Sequence, residues 1–370
     1  MKILVTGGAG FIGSHTVDLL LKKGHEVRIL DSLASPVHPD SRKPAYVPRD
    51  VEFIAGDVRN AANMEKALRG IDVVFHFAAC QGYLTDFSTF SSVNDGGTAL
   101  LYETIVNRHL PVQKVILGSS QAVYGEGKHC CTRHGIHYPE PRSQKQLEGG
   151  EWELECPVCH QVMIPLSNDE STVNPHNQYA VSKYCQELYA LTLGKRYAIP
   201  TVALRYSITQ GARQSFYNAY SGILRSFTIR VINNLPPMIY EDGQQLRDYV
   251  YVGDVARANL LVMENDAADY EAFNVGGGKA ITVLQYVQII QKLSDRSVSP
   301  KIANEFRFGD SRHSVSNILK LEKLGWWPTT SVEQCVRQYI EWVQSYSEVS
   351  DYYAAAHKVM KRSGVIISVA

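Results

Sequence analysis

The chain has 370 residues, with 37 lysines and arginines against 37 aspartates and glutamates, so its formal net charge is zero. A balanced charge gives no whole-protein attraction to nucleic acid or to an anionic membrane. No run of 18 apolar residues occurs, and the apolar run after Met1 is broken by Thr-Gly-Gly, unlike that of a signal peptide. We therefore expect a cytoplasmic protein of two lobes that binds neither nucleic acid nor membrane.

The first 206 residues alternate between strand and helix patterns. Apolar runs predict six buried strands, namely KILVT (2–6), EVRILD (26–31), VEFIAGD (51–57), DVVFHFAA (72–79), KVILGSS (114–120) and TVALRY (201–206). Helical patterns lie between them, including 61–69, 96–109 and a long helix over about 178–197. Strands buried on both faces and joined by helices predict an α/β fold with a doubly wound parallel sheet.

The domain organisation follows from changes in this pattern. We predict a first domain over 1–205, a smaller and less regular lobe over 206–346, and a tail over 347–370. Residues 126–175 interrupt the first domain with a loop-like insertion rich in Pro, His, Cys and Gly.

A glycine-rich turn follows the first strand. Gly7, Gly10 and Gly13 allow close approach of a pyrophosphate to the next helix, although three glycines alone also fit a simple tight turn. Asp31 ends the second strand. A carboxylate at that position accepts hydrogen bonds from ribose hydroxyls and repels a 2′-phosphate. The alternative is that Asp31 is only a turn residue. Asp57, after the third strand, fits a position near an adenine or a strand-end cap. The turn and Asp31 together predict NAD rather than NADP.

A second set of residues points to acid–base chemistry. Tyr179 and Lys183 are four residues apart, on one face of a predicted helix. A nearby ammonium and a cationic nicotinamide favour the phenolate and make tyrosine a usable base. Ser120, at the end of the fifth strand, can hydrogen-bond to the same substrate oxygen. A Tyr/Lys pair alone is common on helix surfaces, whereas its combination with the strand-end serine and the glycine turn indicates a catalytic site.

In residues 1–345 the chain resembles the extended short-chain dehydrogenases/reductases, and among them the NAD-dependent nucleotide-sugar epimerases and dehydratases. The motifs that carry this resemblance are TGGAGFIGSH, GDV, HFAA, SSQAVYG, YAVSK, LRY, GARQ, RDYVYVGDVA, FNVGGG and LGWWP, in the family's order. The resemblance implies a Rossmann domain with tightly bound NAD, a C-terminal lobe that binds a nucleotide diphosphate sugar, and a homodimer formed through the 96–109 helix and the Tyr179 helix.

The resemblance also implies roles for individual residues. The matching catalytic residues are Ser120, Tyr179 and Lys183. The matching NAD contacts are Gly7, Gly10, Phe11, Ile12, Gly13, Asp31, Asp57, Val58, Ala78, Ala79, Asn94, Tyr179 and Lys183. The matching substrate contacts are Tyr83, Leu84, Thr85, Ser120, Gln121, Arg213, Arg247, Arg307 and Asp310. An arginine fork suits a diphosphate, and the alternative for each arginine is a surface ion pair.

The residues after Ser120 narrow the reaction. Dehydratases of the family carry an acidic pair there, and this chain has Gln121 and Ala122, which neither donate nor accept a proton. The same pair disfavours a decarboxylase. We therefore expect transient oxidation and re-reduction, most simply inversion at C4 of a sugar. The alternatives are a dehydratase or an NADH-releasing oxidoreductase, and a non-catalytic NAD-binding scaffold.

The sugar itself is less constrained. Ser207 and Ile208 replace an aromatic residue and an asparagine that the family often has near the substrate. The chain most resembles an epimerase subgroup with the same Cys-bearing insertion, which includes enzymes acting on dTDP-6-deoxyhexoses. A dTDP- or UDP-hexose is the expected substrate.

The insertion carries two pairs of potential metal ligands. Cys131 and His134, then Cys156 and Cys159, match the spacing of a zinc ribbon, and four filled positions indicate a structural site. Alternative ligands are Cys130, His129, His137 and His160, and the cysteines also fit reduced thiols or a redox pair. With few apolar residues, such an element needs a metal to fold. Since it lies between Ser120 and Tyr179, we expect a metal-stabilised flap over the sugar pocket.

Overall fold

The computed structural model describes residues 1–218, 222–347 and 349–370. The strands in these ranges are β1 (Lys2–Thr6), β2 (Glu26–Asp31), β3 (Glu52–Ala55), β4 (Val73–His76), β5 (Lys114–Ser120), β6 (His129–Cys131), β7 (Gly135–His137), β8 (Ile164–Pro165), β9 (Thr201–Tyr206), β10 (Ile208–Gln210), β11 (Met238–Ile239), β12 (Leu246–Tyr251), β13 (Ala272–Val275), β14 (Ala280–Thr282), β15 (Lys301–Ile302), β16 (Glu305–Arg307) and β17 (Ile366–Ser368).

The helices in the same ranges are α1 (Phe11–Lys22), α2 (Ala61–Leu68), α3 (Phe87–Val93), α4 (Asp95–Asn107), α5 (Gln144–Glu148), α6 (Gln178–Arg196), α7 (Ile223–Ile232), α8 (Val252–Glu264), α9 (Val283–Ser294), α10 (Leu319–Glu322), α11 (Val332–Gln344) and α12 (Tyr353–Arg362). Gln121–Tyr124 and Asp266–Ala268 form 3-10 turns. The helices of this part of the chain include none long and apolar enough to cross a membrane.

Seven parallel strands form the main sheet, in the order β3-β2-β1-β4-β5-β9-β13. This is the doubly wound order of the Rossmann fold, so the α/β prediction is confirmed. The order reverses between β1 and β4, and ligands of such sheets bind in the crevice beyond the carboxyl ends of those strands.

The central strands of this sheet, β1, β4, β5 and β9, are buried on both faces, whereas the edge strand β3 is partly exposed. Ile3 and Val5 pack in one apolar cluster, with α1 and α8, whereas Leu4 packs in another, with α2 and α4. Alternate residues of a strand point to opposite faces, so a continuous apolar run fills both layers. For β1, β2, β5 and β9 the bounds predicted from the sequence agree with those in the structure.

The smaller lobe has its own core. Tyr286 of α9 and Tyr339 of α11 are fully buried there, together with apolar residues of α7. The chain also returns to the main sheet after residue 206, because β13 pairs with β9 and α8 packs on α1. The domain boundary near residue 205 therefore stays a prediction. The main sheet contains strands from both sides of it.

The insertion folds around a small antiparallel sheet, β7-β6-β8, and the short helix α5. Leu154 and Met163 pack against Cys131 and Cys156, with Cys159 at the edge. This cluster is small, so apolar burial alone contributes little to the stability of the insertion.

The C-terminal tail covers the smaller lobe. Strand β17 pairs antiparallel with β16, and α12 packs Met360 onto Tyr83, Leu84 and Tyr240. The tail therefore lies against the segment after β4 that the family resemblance associates with the sugar.

Candidate functional site

The glycine turn lies at the crevice between β1 and β4. Gly7 has φ +69°, and a Cβ there would lie 2.8 Å from the amide nitrogen of Ala78. A Cβ at Gly13 would collide with the carbonyl oxygen of Gly7. Helix α1 begins directly after Gly10, and no side chain caps its first turn. The open N–H groups of a 12-residue helix thus face a backbone cradle that only glycine permits, which fits a pyrophosphate.

Asp31 and Asp57 lie at the ends of the next two strands. The Asp31 carboxylate is 8% exposed and accepts hydrogen bonds from the amides of Ala9 and Leu33, both at 2.9 Å. Each carboxylate oxygen keeps a second lone pair, so Asp31 can still accept hydrogen bonds from ribose hydroxyls. Asp57 pairs with Arg59 at 2.6 Å, and this hydrogen bond lowers the pKa of the Asp57 carboxyl. The adenine role of Asp57 stays a prediction.

Asn94 ties the segment after β4 to helix α6. Its side chain bonds to both backbone groups of Cys80, at 2.7 and 3.0 Å, and to the Ser182 hydroxyl at 2.8 Å. Val58 is buried against Gly97, and Ala79 is exposed at the crevice. Phe11 and Ile12 are half-buried in the first turn of α1. Their contacts with NAD stay predictions.

The three predicted catalytic residues come together between β5 and α6. Helix α6 begins at Gln178 because the Asn177 side chain accepts the Ala180 amide at 2.8 Å. This places the Tyr179 phenol beside the Ser120 hydroxyl. Lys183 is 3% exposed, and its Nζ donates to the carbonyl oxygen of Gly118, two residues before Ser120.

Burial controls the charge of this pair. It raises the pKa of Tyr179 to about 12, against the opposing effect of the nearby Ser120 side chain. Burial also lowers the pKa of Lys183 to about 7, against the opposing charge of Glu187. Near neutral pH and without a ligand, Tyr179 is protonated and Lys183 is partly neutral, so a bound cation is needed to make the tyrosine a base.

The predicted sugar-binding residues form a second cluster. The Arg307 guanidinium lies 4.3 Å from the ring of Tyr83 and 5.3 Å from that of Tyr240, and its Nε is 3.0 Å from Asp310. Burial raises the pKa of Tyr83 to about 12.

Helix α6 joins this cluster to the catalytic residues. The Gln178 side chain donates to the Leu84 carbonyl at 3.0 Å, and that of Asn177 donates to the Gly309 carbonyl at 3.3 Å. The catalytic helix therefore touches both the segment after β4 and the turn after Arg307. Thr85 is exposed on that segment.

The other predicted substrate residues have different surroundings. Arg247 donates to the carbonyls of Leu246, Ser311 and Arg312 at 2.8–2.9 Å, so it supports the backbone after Asp310. Arg213 lies beside the glycine turn, where it pairs with Asp18 at 2.7 Å and stacks on Tyr46 at 4.9 Å.

Gln121 has an unused hydrogen-bond acceptor. The residue is 8% exposed, and within residues 1–218, 222–347 and 349–370 its Oε1 has no hydrogen-bond partner. A buried amide oxygen without a partner is costly. It lies directly after Ser120, where a hydroxyl or amide of a ligand would satisfy it.

The four predicted metal ligands also come together. One ligand atom from each of Cys131, His134, Cys156 and Cys159 lies within 4.8 Å of all the others. The Cys131 and Cys159 sulfurs are 3.7 Å apart, and His134 Nδ1 lies 3.6 Å from Cys131 Sγ and 3.4 Å from Cys156 Sγ. Tetrahedral zinc has S···S edges of about 3.8 Å and S···N edges of about 3.6 Å, given its usual bond lengths. The cluster thus fits a tetrahedral ion.

The chemistry of the donors agrees with that geometry. Backbone N–H groups of Arg133 and His134 bond to Cys131 and lower the pKa of its thiol to about 6. Of the alternative ligands, His137 comes within 3.8 Å of Cys156. The others have different contacts: Cys130 with the Cys131 carbonyl, His129 with the Gly127 carbonyl, and His160 with Glu155.

Sequence reasoning missed several residues that support the site. Gln186 accepts a hydrogen bond from Lys183 Nζ and donates to Thr98 at 2.8 Å. Its position three residues after Lys183, on the same helix face, was an available signal. Arg142, in the insertion, is buried among acidic side chains. Its Pro-Arg-Ser context in the sequence gives no sign of burial.

Comparison with known proteins agrees with the geometry. The family model described as "NAD dependent epimerase/dehydratase family" matches residues 3–144 and 157–276. The dTDP-L-rhamnose 4-epimerase of Burkholderia thailandensis is 31% identical over 350 residues, covering 92% of this chain and 94% of that protein.

Two solved structures are similar over nearly the whole chain. The UDP-glucose 4-epimerase of Thermotoga maritima with UDP-glucose has a TM-score of 0.74 and 30% identity, covering 94% of this chain and all of that one. The UDP-glucose 4-epimerase of Thermus thermophilus in complex with NAD has a TM-score of 0.75 and 30% identity, covering 93% and 99%. The family match spans the glycine turn, Ser120 and the Tyr179 helix, and the chain therefore belongs to the NAD dependent epimerase/dehydratase family.

Proposed function

We propose that the chain is an NAD-dependent epimerase that inverts C4 of a nucleotide diphosphate hexose. The observation that carries this proposal is the arrangement of Ser120 beside Tyr179, with the buried Lys183 one helical turn further along α6, and with no acidic pair after Ser120. Gln121 and Ala122 follow Ser120 in place of an acidic pair, which separates epimerisation from dehydration.

In the proposed reaction Tyr179 removes the proton of the sugar hydroxyl and later returns it. The Ser120 hydroxyl orients the same oxygen through a hydrogen bond, and the Lys183 ammonium lowers the pKa of the phenol. NAD, when bound, supplies the hydride acceptor and the positive charge that complete the site. Inversion requires the oxidised sugar to present its other face before it is reduced again.

NAD is the proposed cofactor, held by the glycine turn and by Asp31. The Gly7–Ala78 cradle and the uncapped start of α1 support a pyrophosphate, and the buried Asp31 carboxylate disfavours a 2′-phosphate. The Thermus thermophilus structure, which contains NAD, supports the same cofactor.

The proposed substrate is a dTDP- or UDP-hexose. Arg307 supplies a guanidinium beside the sugar-side segment, and Gln121 supplies a buried acceptor. The relatives support both nucleotides, because one is named for a dTDP-sugar and another was solved with UDP-glucose.

The insertion is proposed to bind one structural zinc ion through Cys131, His134, Cys156 and Cys159. All four positions of the tetrahedron are then filled by protein, so this metal stabilises the fold and takes no part in the reaction. Metal analysis of the purified protein tests this, with one zinc per chain as the expected result.

A homodimer is proposed through α4 and α6. Helix α6 exposes Val181, Leu188 and Tyr189 at 46%, 50% and 44%, at spacings that place them on one side of the helix. Light scattering at several concentrations tests this assembly.

The function is tested by incubating the protein with UDP-, dTDP- and GDP-hexoses and analysing the products. A new C4 epimer without net NADH is expected, and Tyr179→Phe should abolish it. Tyr197→Phe, at the exposed end of the same helix, is the control and should leave turnover intact. Accumulating NADH identifies an oxidoreductase, a 4-keto-6-deoxy sugar identifies a dehydratase, and no turnover of any sugar favours a non-catalytic scaffold.

A further inference from the structure

A buried charge network joins the insertion to the smaller lobe. Its centre is Arg142, a residue of the insertion whose side chain is 1% exposed. The guanidinium donates to Glu126 at 3.1 Å and to Glu241 of the smaller lobe at 3.1 Å. It also donates to the backbone carbonyl of Asp310 at 2.8 Å. One insertion side chain thus contacts the turn that carries Arg307 and Asp310.

A second arginine makes the connection from the other side. Arg312 is also 1% exposed and donates to Glu153 of the insertion at 2.6 and 2.9 Å. It bonds as well to Glu241 at 2.9 Å and to Asp242 at 2.7 Å. The backbone amide of Arg312 donates to Glu126 at 2.7 Å. Arg312, the second residue after Asp310, is therefore held by acidic groups of the insertion and of the smaller lobe.

The packing around the predicted metal ligands fixes the position of Glu153 in this network. Leu154, the next residue, packs against Cys131 and Cys156. Its carbonyl accepts the Met163 amide at 2.9 Å, and Met163 belongs to the same cluster. The position of the Glu153 carboxylate thus depends on the fold of the segment that Cys156 and Cys159 anchor.

The turn is also held by groups outside the insertion, and on its C-terminal side Arg247 donates to the carbonyls of Ser311 and Arg312 at 2.9 and 2.8 Å. Gly309 has φ +90°, and its carbonyl takes a long 3.3 Å bond from Asn177. Strand β16 holds the N-terminal side of the turn through β17. The insertion holds its C-terminal side together with Arg247, through the Asp310 carbonyl and the Arg312 amide.

We propose that the insertion is a brace for the Arg307–Asp310 turn, with Arg142 and Glu153 as positioning residues for binding of a nucleoside diphosphate. This inference rests on the proposed function, because it takes Arg307 as a diphosphate contact. A displaced guanidinium loses its paired bonds to a diphosphate, so damage to the brace weakens nucleotide binding and leaves NAD binding and chemistry intact.

The test compares Glu153→Gln with Glu151→Gln, the same change at an exposed residue of the same segment. Calorimetry with UDP, with dTDP and with NAD gives the affinities, and steady-state kinetics gives KM and kcat. We expect Glu153→Gln to weaken UDP or dTDP binding and raise KM about tenfold, with kcat and NAD affinity within about twofold. Glu151→Gln should behave as the wild-type protein.

Two further variants separate the brace from the proposed function. Arg307→Met should lose nucleotide binding, and if it does not, the assignment of Arg307 fails and the brace with it. If Arg307→Met loses binding while Glu153→Gln keeps it, the brace alone is overturned. Equal losses of NAD and nucleotide affinity in Glu153→Gln would also overturn it, because they indicate general damage. Cys159→Ser should have the same effect as Glu153→Gln, namely weaker UDP or dTDP binding with nearly unchanged NAD affinity. Unchanged UDP and dTDP affinity in Cys159→Ser would mean that the metal site does not contribute to the brace.

Discussion

The buried Lys183 should make the stability of the NAD-free protein depend on pH. Its ammonium is 3% exposed, and burial lowers its pKa from 10.5 to about 7. Between those values the unfolded chain binds a proton that the folded chain does not, so stability rises with pH. A pKa difference of this size corresponds to about 5 kcal/mol. The destabilisation is complete below pH 7 and disappears as pH approaches 10.5.

Lys183→Met removes this titration and keeps the apolar stem. The variant also loses the hydrogen bonds to Gly118 and Gln186, a cost of about 1–3 kcal/mol for each group left unpaired, which is largely independent of pH. The informative quantity is therefore the change with pH of the difference between the two proteins. Relative to the variant, the wild-type protein should gain about 4 kcal/mol between pH 6.5 and 10.

The assay is unfolding of the NAD-stripped proteins by urea and by heat across that pH range. For a chain of this length, 4 kcal/mol corresponds to a relative shift in Tm of about 5 °C. Lys195→Met, at an exposed lysine of the same helix, is the control and should follow the wild-type protein. Parallel stability curves for wild type and Lys183→Met would refute the reasoning, because they would mean that Lys183 keeps an ordinary pKa.

Three further predictions concern the proposed zinc site, the proposed binding of NAD and the surroundings of Lys183. Cys156→Ser should lower the bound zinc and the Tm together, because the insertion has a small apolar cluster, and unchanged metal content would contradict the proposed ligand set. Gly13→Ala should weaken NAD binding by at least about tenfold in a fluorescence titration, because the added Cβ collides with the backbone. Gly149→Ala is the control: its Cβ meets only ordinary contacts, so this variant should bind NAD normally. Gln186→Leu should lower kcat by about tenfold, because it removes the acceptor that holds Lys183. Gln186→Glu should move the pH profile of kcat towards higher pH, because a carboxylate favours the ammonium form of Lys183. An unshifted profile would contradict this role of Gln186.

Much of the site was predictable because its signals are local. The glycine turn, the Tyr179–Lys183 spacing and the paired metal ligands each lie within a few residues, so backbone geometry brings their members together. The strand-end position of Ser120 follows from the same reasoning, because carboxyl ends of parallel strands share one edge of the sheet.

Other features were not predictable, because they depend on contacts between distant parts of the chain. Arg142 meets Glu241 and Asp310 across about 100 and 170 residues, and polar pairs of that kind have no periodic signal. The substrate role of Arg213 stays a prediction from the motif, and its contacts with Asp18 and Tyr46, far away in the sequence, had no local signal.

The sequence by itself determined the doubly wound sheet, the glycine turn at its crevice and the members of the Cys/His cluster, since apolar runs and short motifs encode them locally. Only the tertiary structure decided that the tail adds a strand beside Arg307 and that the insertion is joined to the sugar-side turn. The physical reason is that desolvation and charge pairing act on whichever groups the folded chain buries together, whatever their separation in sequence.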